Sequence, residues 1–212
     1  MTIDVFIADD HAVMRDGLRM ILESQPDINV IGEAANGREA VRLVPILRPH
    51  VLIIDIAMAD LNGIEAIHQI RARSPTVQIV VLSMHANHEY VTRALQAGAL
   101  GYVLKESAGV DVIDAVRAAH AGSRYLSEKI AAEQATSQGP PALSPLQSLS
   151  KREREILQLI VEGKSSAQIA GMLGLSRKTV ETYRSRMMHK LGISDLPGLV
   201  KFAILHGLTP LE

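Results

Sequence analysis

Apolar residues in the first 120 positions fall into two alternating textures. IDVFIA (3–8), INVIGEAA (28–35), VLIID (51–55), VQIVVLS (77–83) and LGYVL (100–104) are short, β-branched and nearly continuous in apolar character. Between them, apolar positions recur at helical spacing over about 12–24, 37–47, 63–73, 88–97 and 109–120. Runs of the first kind fit strands buried on both faces of a sheet. Five strand–helix units of this length predict a parallel sheet with helices on both faces. Right-handed crossovers restrict the topology to a few doubly wound sheets.

The texture changes after residue 120. AGSRYLSEKIAAEQATSQGPPALSPLQSL (121–149) gathers Gly139, Pro140, Pro141 and Pro145 among Ser, Gln and Ala. Tyr125 to Gln134 has the pattern of a helix extension, and the Ser/Gln/Pro/Gly stretch 136–148 reads as a linker. From residue 149 on, the pattern is all helical. Ser150 and Glu153 form a capping-box pattern before EREILQLIVEG. Ser165 or Ser166 caps a short second helix through Met172, Gly174 makes a turn, and Ser176 caps a third helix to about Leu191. A last helix covers about 195–206. The few residues GLS between the second and third helices have helix-turn-helix spacing. The expected organisation is a flavodoxin-like α/β domain over 1–122, a linker over 123–148 and an all-α four-helix domain over 149–212.

Composition narrows the chemistry. No run of 18 or more apolar residues occurs, so no membrane span is expected. The start, MTIDVFIADD, has none of the marks of a signal peptide, and a soluble cytoplasmic protein is the default expectation. There is no cysteine, which excludes disulfide frameworks, thiolate metal sites and Cys nucleophiles. Aromatics are 3% of the chain, too few for stacking platforms on single-stranded nucleic acid. Net charge is −1 but uneven. Residues 144–212 carry ten Lys and Arg against six Asp and Glu, and residues 1–143 carry twelve against seventeen. An acidic front and a basic back point to two domains with different partners.

In open α/β sheets, function collects at the carboxyl ends of strands. Asp9 and Asp10 end the first strand, Asp55 the third and Ser83 the fourth, and Lys105 follows the fifth. In a flavodoxin-like strand order these four strands are neighbours, so the five side chains converge. Asp9 alone fits a helix cap, Ser83 alone a turn residue and Lys105 alone a solvated loop residue; the set is harder to explain that way. Three carboxylates in one pocket stay ionised only beside a cation. Oxygen-only ligation favours a hard ion such as Mg2+, which keeps waters and accepts phosphate oxygens in its shell. A carboxylate beside Mg2+ can act as a nucleophile toward phosphorus. The Ser83 hydroxyl and Lys105 ammonium can then hold the oxygens of the transferred group.

These residues, in IADDH, LIIDIAMADLNG, VVLSMH and GYVLKES, resemble the receiver domain of two-component response regulators over about 3–120. The resemblance implies that Asp55 accepts a phosphoryl group from a sensor histidine kinase. It also implies that Asp9, Asp10 and Asp55, with the backbone carbonyl of Ala57, hold Mg2+, with Asp9 partly through water. Ser83 and Tyr102 become a switch pair: Ser83 moves to the phosphoryl group and Tyr102 rotates inward behind it. One position departs from the pattern. The family usually has proline four residues after the acceptor, where this chain has Ala59, which puts the rigidity of that loop in doubt.

On the third C-terminal helix, 100° per residue puts Val180, Tyr183, Met187 and Leu191 on an inner face. Lys178, Glu181, Thr182, Ser185 and His189 fall opposite. A short polar face suits a major groove, and it equally suits a solvated face of a bundle. Glu181 can accept from cytosine N4 and Thr182 can meet a base edge or a thymine methyl. Lys178, Arg184 and Arg186 are better placed for phosphates. LSKREREILQLIVEGKSSAQIAGMLGLSRKTVETYRSRMMHKLGI (149–193) is similar to the DNA-binding domain of LuxR-type regulators, and the pair of domains looks like the NarL/FixJ group of response regulators. The resemblance implies a phosphorylation-gated, DNA-binding transcriptional regulator rather than an enzyme, with at most slow self-dephosphorylation. The implied DNA contacts are Lys178, Thr179, Glu181, Thr182, Arg184, Ser185 and Arg186. The implied partners are a sensor histidine kinase, double-stranded DNA with a two-fold site, and a second copy of the chain through helix 195–206. RNA polymerase is a further candidate.

Two other readings compete. A Mg2+-dependent phosphohydrolase of the haloacid dehalogenase kind would carry a second Asp two residues after the nucleophile, where this chain has Ala57. A constitutive DNA-binding protein would need no switch, and Ala59 is the only feature in its favour. The eight histidines show no metal spacing. His11 reads as a helix-start residue, and His85 and His88 as loop residues that tune water access.

Overall fold

The computed structural model describes residues 2–86, 88–136, 145–206 and 208, in two compact units, 1–140 and 141–212. The first unit runs β1 (Ile3–Ala8), α1 (Ala12–Glu23), β2 (Ile28–Ala34), α2 (Gly37–Leu47), β3 (Val51–Asp55), α3 (Gly63–Arg73), β4 (Gln78–Ser83), α4 (His88–Gln96), β5 (Gly101–Leu104), α5 (Ala108–His120), β6 (Tyr125–Leu126) and α6 (Glu128–Thr136). The sheet is parallel throughout, in the order β2-β1-β3-β4-β5-β6.

Strand pleat sorts the apolar residues into two cores. Val5, Ile7, Val51, Ile53, Leu82 and Val103 face α1 and α5. Phe6, Leu52, Ile54, Val81, Tyr102 and Leu104 face α2, α3 and α4. Continued past the strand ends, the alternation sends Asp9, Asp55 and Lys105 to the α1/α5 side. It sends Ser83 and Tyr102 to the α4 side.

The sheet has six strands rather than the expected five. β6 covers the edge of β5: the Tyr125 N–H donates to the Leu100 carbonyl (3.0 Å) and the Ser127 N–H to the Tyr102 carbonyl (3.0 Å). A two-residue strand has no period to read, which is why only helix was expected there. The linker expected over 123–148 shortens accordingly. Tyr125 and Ile130 pack on the first unit, and Leu146 in a 3-10 turn (Pro145–Ser148) is buried in the second. The rest of the proposed linker, 137–144, lies outside the described residues.

Two helix starts press against the loop after β3. A Cβ on Gly63 would lie 2.1 Å from the Asp55 carbonyl oxygen, and one on Gly37 would lie 2.2 Å from the Leu61 carbonyl oxygen. Backbone on both sides leaves no flexible neighbour to yield. Gly63→Ala is therefore expected to lower stability by about 1–3 kcal/mol or more and to displace the end of β3. Chemical unfolding and the amide shift of Asp55 report the two effects; wild-type values for both would show that the loop has room.

The second unit has four α-helices among the described residues: α7 (Lys151–Val161), α8 (Ser166–Leu173), α9 (Arg177–Leu191) and α10 (Leu196–Leu205). The capping box of Ser150 with Glu153 is present, and Ser165 rather than Ser166 caps α8, boxed with Gln168. Gly174 ends α8 in the left-handed region (φ 64°) and Ser176 caps α9 two residues later. Leu149, Ile156, Leu159, Ile169, Val180, Met187 and Leu199 form the core, with Tyr183 and Leu191 at its margin.

Glu153 is buried and ties the start of α7 to the last turn of α9. Its Oε2 accepts from the Ser150 N–H (2.7 Å) and from the Lys190 ammonium (2.7 Å). Burial pushes this carboxyl up, but Lys190 and the Ser150 cap outweigh it and hold it below its ordinary 4.5. A depressed carboxylate contributes stability above its unfolded pKa and loses it as pH falls through the folded one. Lys190→Met should therefore cost about 1–3 kcal/mol at pH 7. The gap should close below pH 4.5. Urea unfolding at neutral and acid pH measures it, and a gap that does not depend on pH would assign the loss to packing alone.

Candidate functional site

The carboxyl ends of β1, β3 and β5 bring three of the expected residues into direct contact. Asp9 and Asp55 are buried. The Lys105 ammonium, 6% exposed, sits 2.6 Å from Asp55 Oδ2 and 2.8 Å from Asp9 Oδ2. Asp55 Oδ1 accepts from the Ala57 N–H at 3.1 Å. Asp9 Oδ1 accepts from the His11 N–H at 2.9 Å. Asp10 stands at the exposed rim.

Electrostatics here are opposed. Burial pushes the Asp55 carboxyl above its ordinary range; Lys105 opposes that, and the Asp9 charge adds to it. Burial lowers the Lys105 ammonium, but Asp55 and Asp9 more than offset it and raise it. One cation is thus shared by two buried anions with a third at the rim, so the cluster retains unmet negative charge.

His11 joins this cluster. It is the N-cap residue of α1, as expected, but its side chain makes no cap bond. Its Nδ1 lies instead 2.9 Å from Asp10 Oδ1 and 3.2 Å from Asp9 Oδ1. Ligand atoms of Asp9, Asp10, His11 and Asp55 all fall within 4.8 Å of one another. Asp9 Oδ2 is buried, and for all its closeness to Lys105 it makes no well-formed hydrogen bond. Such a donor set, mostly carboxylate oxygen with spare acceptor capacity, could hold a hard divalent cation.

Ser83 and Tyr102 occupy the other side of the sheet end. The buried Ser83 Oγ accepts from the His85 N–H (3.0 Å). Tyr102 is fully buried and its hydroxyl donates to the His85 carbonyl (2.7 Å). Burial pushes that hydroxyl far above its ordinary range, with Ser83 opposing. The His85 ring stacks on Tyr90 at 4.6 Å. The loop 83–86 is thus tied to both residues of the expected switch pair, with Tyr102 in the inward position.

The loop after β3 carries backbone and packing contacts of its own around position 59. The Ala59 carbonyl accepts from the Leu61 N–H (2.8 Å), Asp60 takes a left-handed φ of 66°, and Leu61 is buried as an anchor. Aspartate tolerates that conformation better than most residues. Asn62 then caps α3 by accepting from the Glu65 N–H (3.0 Å).

On α9, Lys178, Glu181, Thr182, Ser185, Arg186 and His189 are exposed, while Arg184 and Thr179 are half-buried. Thr179 Oγ1 is 2.8 Å from the Ser176 hydroxyl, whose oxygen also accepts from the Thr179 N–H as the helix cap (3.1 Å). The Thr182 hydroxyl donates back to the Lys178 carbonyl (2.9 Å), which leaves its methyl and lone pairs outward. Arg177, which the helical pattern did not single out, is exposed and pairs with Glu181 (3.1 Å). Its position three residues after Gly174, at the helix start, was the available signal.

Comparison with known proteins agrees with both halves. Residues 5–117 match the response regulator receiver domain, and residues 147–203 match the LuxR family of bacterial regulatory proteins. The chain is 38% identical to the response regulator UvrY of Escherichia coli K12, covering 99% of this chain and 97% of that one. It is 42% identical to the transcriptional regulatory protein LiaR of Bacillus subtilis, covering 91% and 92%. Among solved structures, the RcsB response regulator of Salmonella typhimurium aligns with a TM-score of 0.61 at 31% identity, covering 96% and 98%. A complex of RcsB with DNA aligns with a TM-score of 0.59 at 30% identity, covering 95% and 98%. No described helix is long and apolar enough to cross a membrane. The paired carboxylates at the strand ends and the helix-turn-helix later in the chain are therefore those of a two-component response regulator of the NarL/FixJ group, the family of transcriptional regulators to which this chain belongs.

Proposed function

We propose that Asp55 is the phosphoryl acceptor and that its phosphorylation controls DNA binding by α9. The observation that carries this is the contact of Asp55 with Lys105 at 2.6 Å in a buried pocket shared with Asp9. A carboxylate so held has a fixed orientation, and a cation waits for the charge that develops on phosphorus. One Asp55 oxygen attacks phosphorus, the P–N bond of a phosphohistidine donor breaks, and the leaving imidazole keeps the electron pair and takes a proton. The product is an acyl phosphate on Asp55.

Asp9, Asp10 and Asp55, with the Ala57 carbonyl, are the residues that would hold Mg2+. The bound ion would neutralise phosphoryl oxygens during transfer. Lys105 stays within reach of the new phosphoryl oxygens. Ser83, at the end of the adjacent strand, trades its contact with the His85 N–H for one of them, and Tyr102 holds the His85 carbonyl behind it. The DNA-contact set is Lys178, Thr179, Glu181, Thr182, Arg184, Ser185 and Arg186. The partners are a two-fold DNA site bound by two copies, a reading supported by the RcsB relative solved with DNA and as dimers on DNA, and a sensor histidine kinase, supported by the receiver domain.

The test is incubation of the full chain with Mg2+ and acetyl phosphate, followed by mass spectrometry of the peptide that holds residue 55. One added phosphoryl group on wild type and none on Asp55→Asn is the expected result. Label on any other residue at wild-type level would remove Asp55 from the role.

A further inference from the structure

Leu104 lies between Tyr102, buried beside Ser83, and Lys105, held on Asp9 and Asp55. Its backbone is gripped from outside the strand. The Leu104 N–H donates to Ser127 Oγ (3.2 Å), and the Ser127 N–H donates to the Tyr102 carbonyl (3.0 Å). Ser127 Oγ in turn donates to Asp111 Oδ2 (2.5 Å). The Ser107 hydroxyl reaches the same Asp111 oxygen (2.7 Å) and the Leu104 carbonyl (3.2 Å). Ser127 is 2% exposed, so water does not replace its bond with the Leu104 N–H.

Three elements meet in this knot: the end of β5 that supplies Lys105, the helix α5 that supplies Asp111, and β6, which leads into α6. A carboxylate that takes two hydroxyl donors in such a knot couples the elements that supply them, because a partly satisfied network is costly. The end of β5 cannot shift by a fraction of an ångström without straining the Leu104–Ser127 bond or carrying β6 with it.

We propose that Ser127 and Asp111 form a clamp that transmits the state of the Asp55 pocket to β6 and α6, the last described elements before residue 137. This rests on the reading of Asp55 as the phosphoryl acceptor. Lys105 is drawn from Asp9 toward phosphoryl oxygens, β5 follows at its carboxyl end, and the clamp releases β6. Ser127 and Asp111 are positioning residues; neither touches the reacting atoms.

Amide hydrogen exchange of the full chain, with and without Mg2+ and beryllofluoride as phosphoryl mimic, tests this. In wild type, exchange over 125–132 should speed up by about fivefold or more when the mimic binds. In Ser127→Ala and in the milder Asp111→Asn, the same amides should be fast already and change by less than about twofold. Peptides over 51–62 should still respond in both variants, which shows that they fold and bind the mimic. A wild type that responds over 51–62 but not over 125–132 overturns the clamp, as does a wild-type response in either variant. A wild type silent over 51–62 removes the acceptor reading, and the clamp with it.

Discussion

Asp55→Asn is expected to lower phosphoryl uptake from acetyl phosphate by more than about a thousandfold. An amide oxygen is a poor nucleophile, and no other described carboxylate combines burial with contact to Lys105 on a strand end except Asp9, whose Oδ2 shares that lysine. The fold should survive. Asparagine has nearly the same shape, can keep the contact with Lys105, and removes one of two buried like charges. Burial already disfavours the Asp55 anion. Thermal unfolding at neutral pH should therefore be unchanged or improved by about 1 kcal/mol, and a marked loss would mean that Asp55 serves the fold first. The downstream effect is separate. Wild-type affinity for a two-fold DNA site should rise with beryllofluoride, while Asp55→Asn should stay at the unphosphorylated level. Equal wild-type affinity in both states would make DNA binding constitutive.

Lys105→Met carries the second large effect. It leaves Asp9 and Asp55 buried without their shared cation. Breaking a buried pair on one side costs about 3–5 kcal/mol, because the remaining charge is uncompensated. The loss should depend on pH. The Asp55 carboxyl is already raised in the folded protein, and removing Lys105 raises it further. A raised carboxyl binds its proton more readily in the folded state than in the unfolded one. Stability therefore increases as pH falls from neutrality toward the unfolded value of 3.8. At the alkaline end the sign is opposite for the wild type. Lys105 is raised above 10.5, so its contribution is full below that pH and fades as pH climbs through the folded value. In chelator at pH 7 the variant should melt well below wild type, with the gap narrowing as pH falls toward 3.8. Added Mg2+ should recover more stability in the variant than in wild type, since it restores positive charge where Lys105 stood. Neither recovery would be seen if Lys105 contributed only packing through its methylenes.

Much of this was legible from residue pattern. Each strand of LGYVL or VLIID type lies where its apolar run lies, because a strand covered on both faces has no polar positions to confuse its bounds. The caps at Ser150 and Ser176 were readable because the bond they make is local. Asp9, Asp55 and Lys105 were legible as a set because strand ends of a parallel sheet deliver side chains to one crevice. Other features could not be read this way. β6 is two residues long. His11 is the helix start that was expected, but only the placement of Asp9 and Asp10 in three dimensions turns its ring toward them.

Residue order was enough to set the two-unit architecture, the parallel order of the strands and the place of the acceptor crevice. Those come from hydrophobic period, loop length and local caps, which act between near neighbours in the chain. Packing in three dimensions settled how one lysine is divided between two carboxylates and which contacts the loop at Ala59 makes. It also settled that Ser127 grips Leu104 across 23 residues of sequence. These depend on distances between groups remote in the chain, and such distances are set only when both cores have packed.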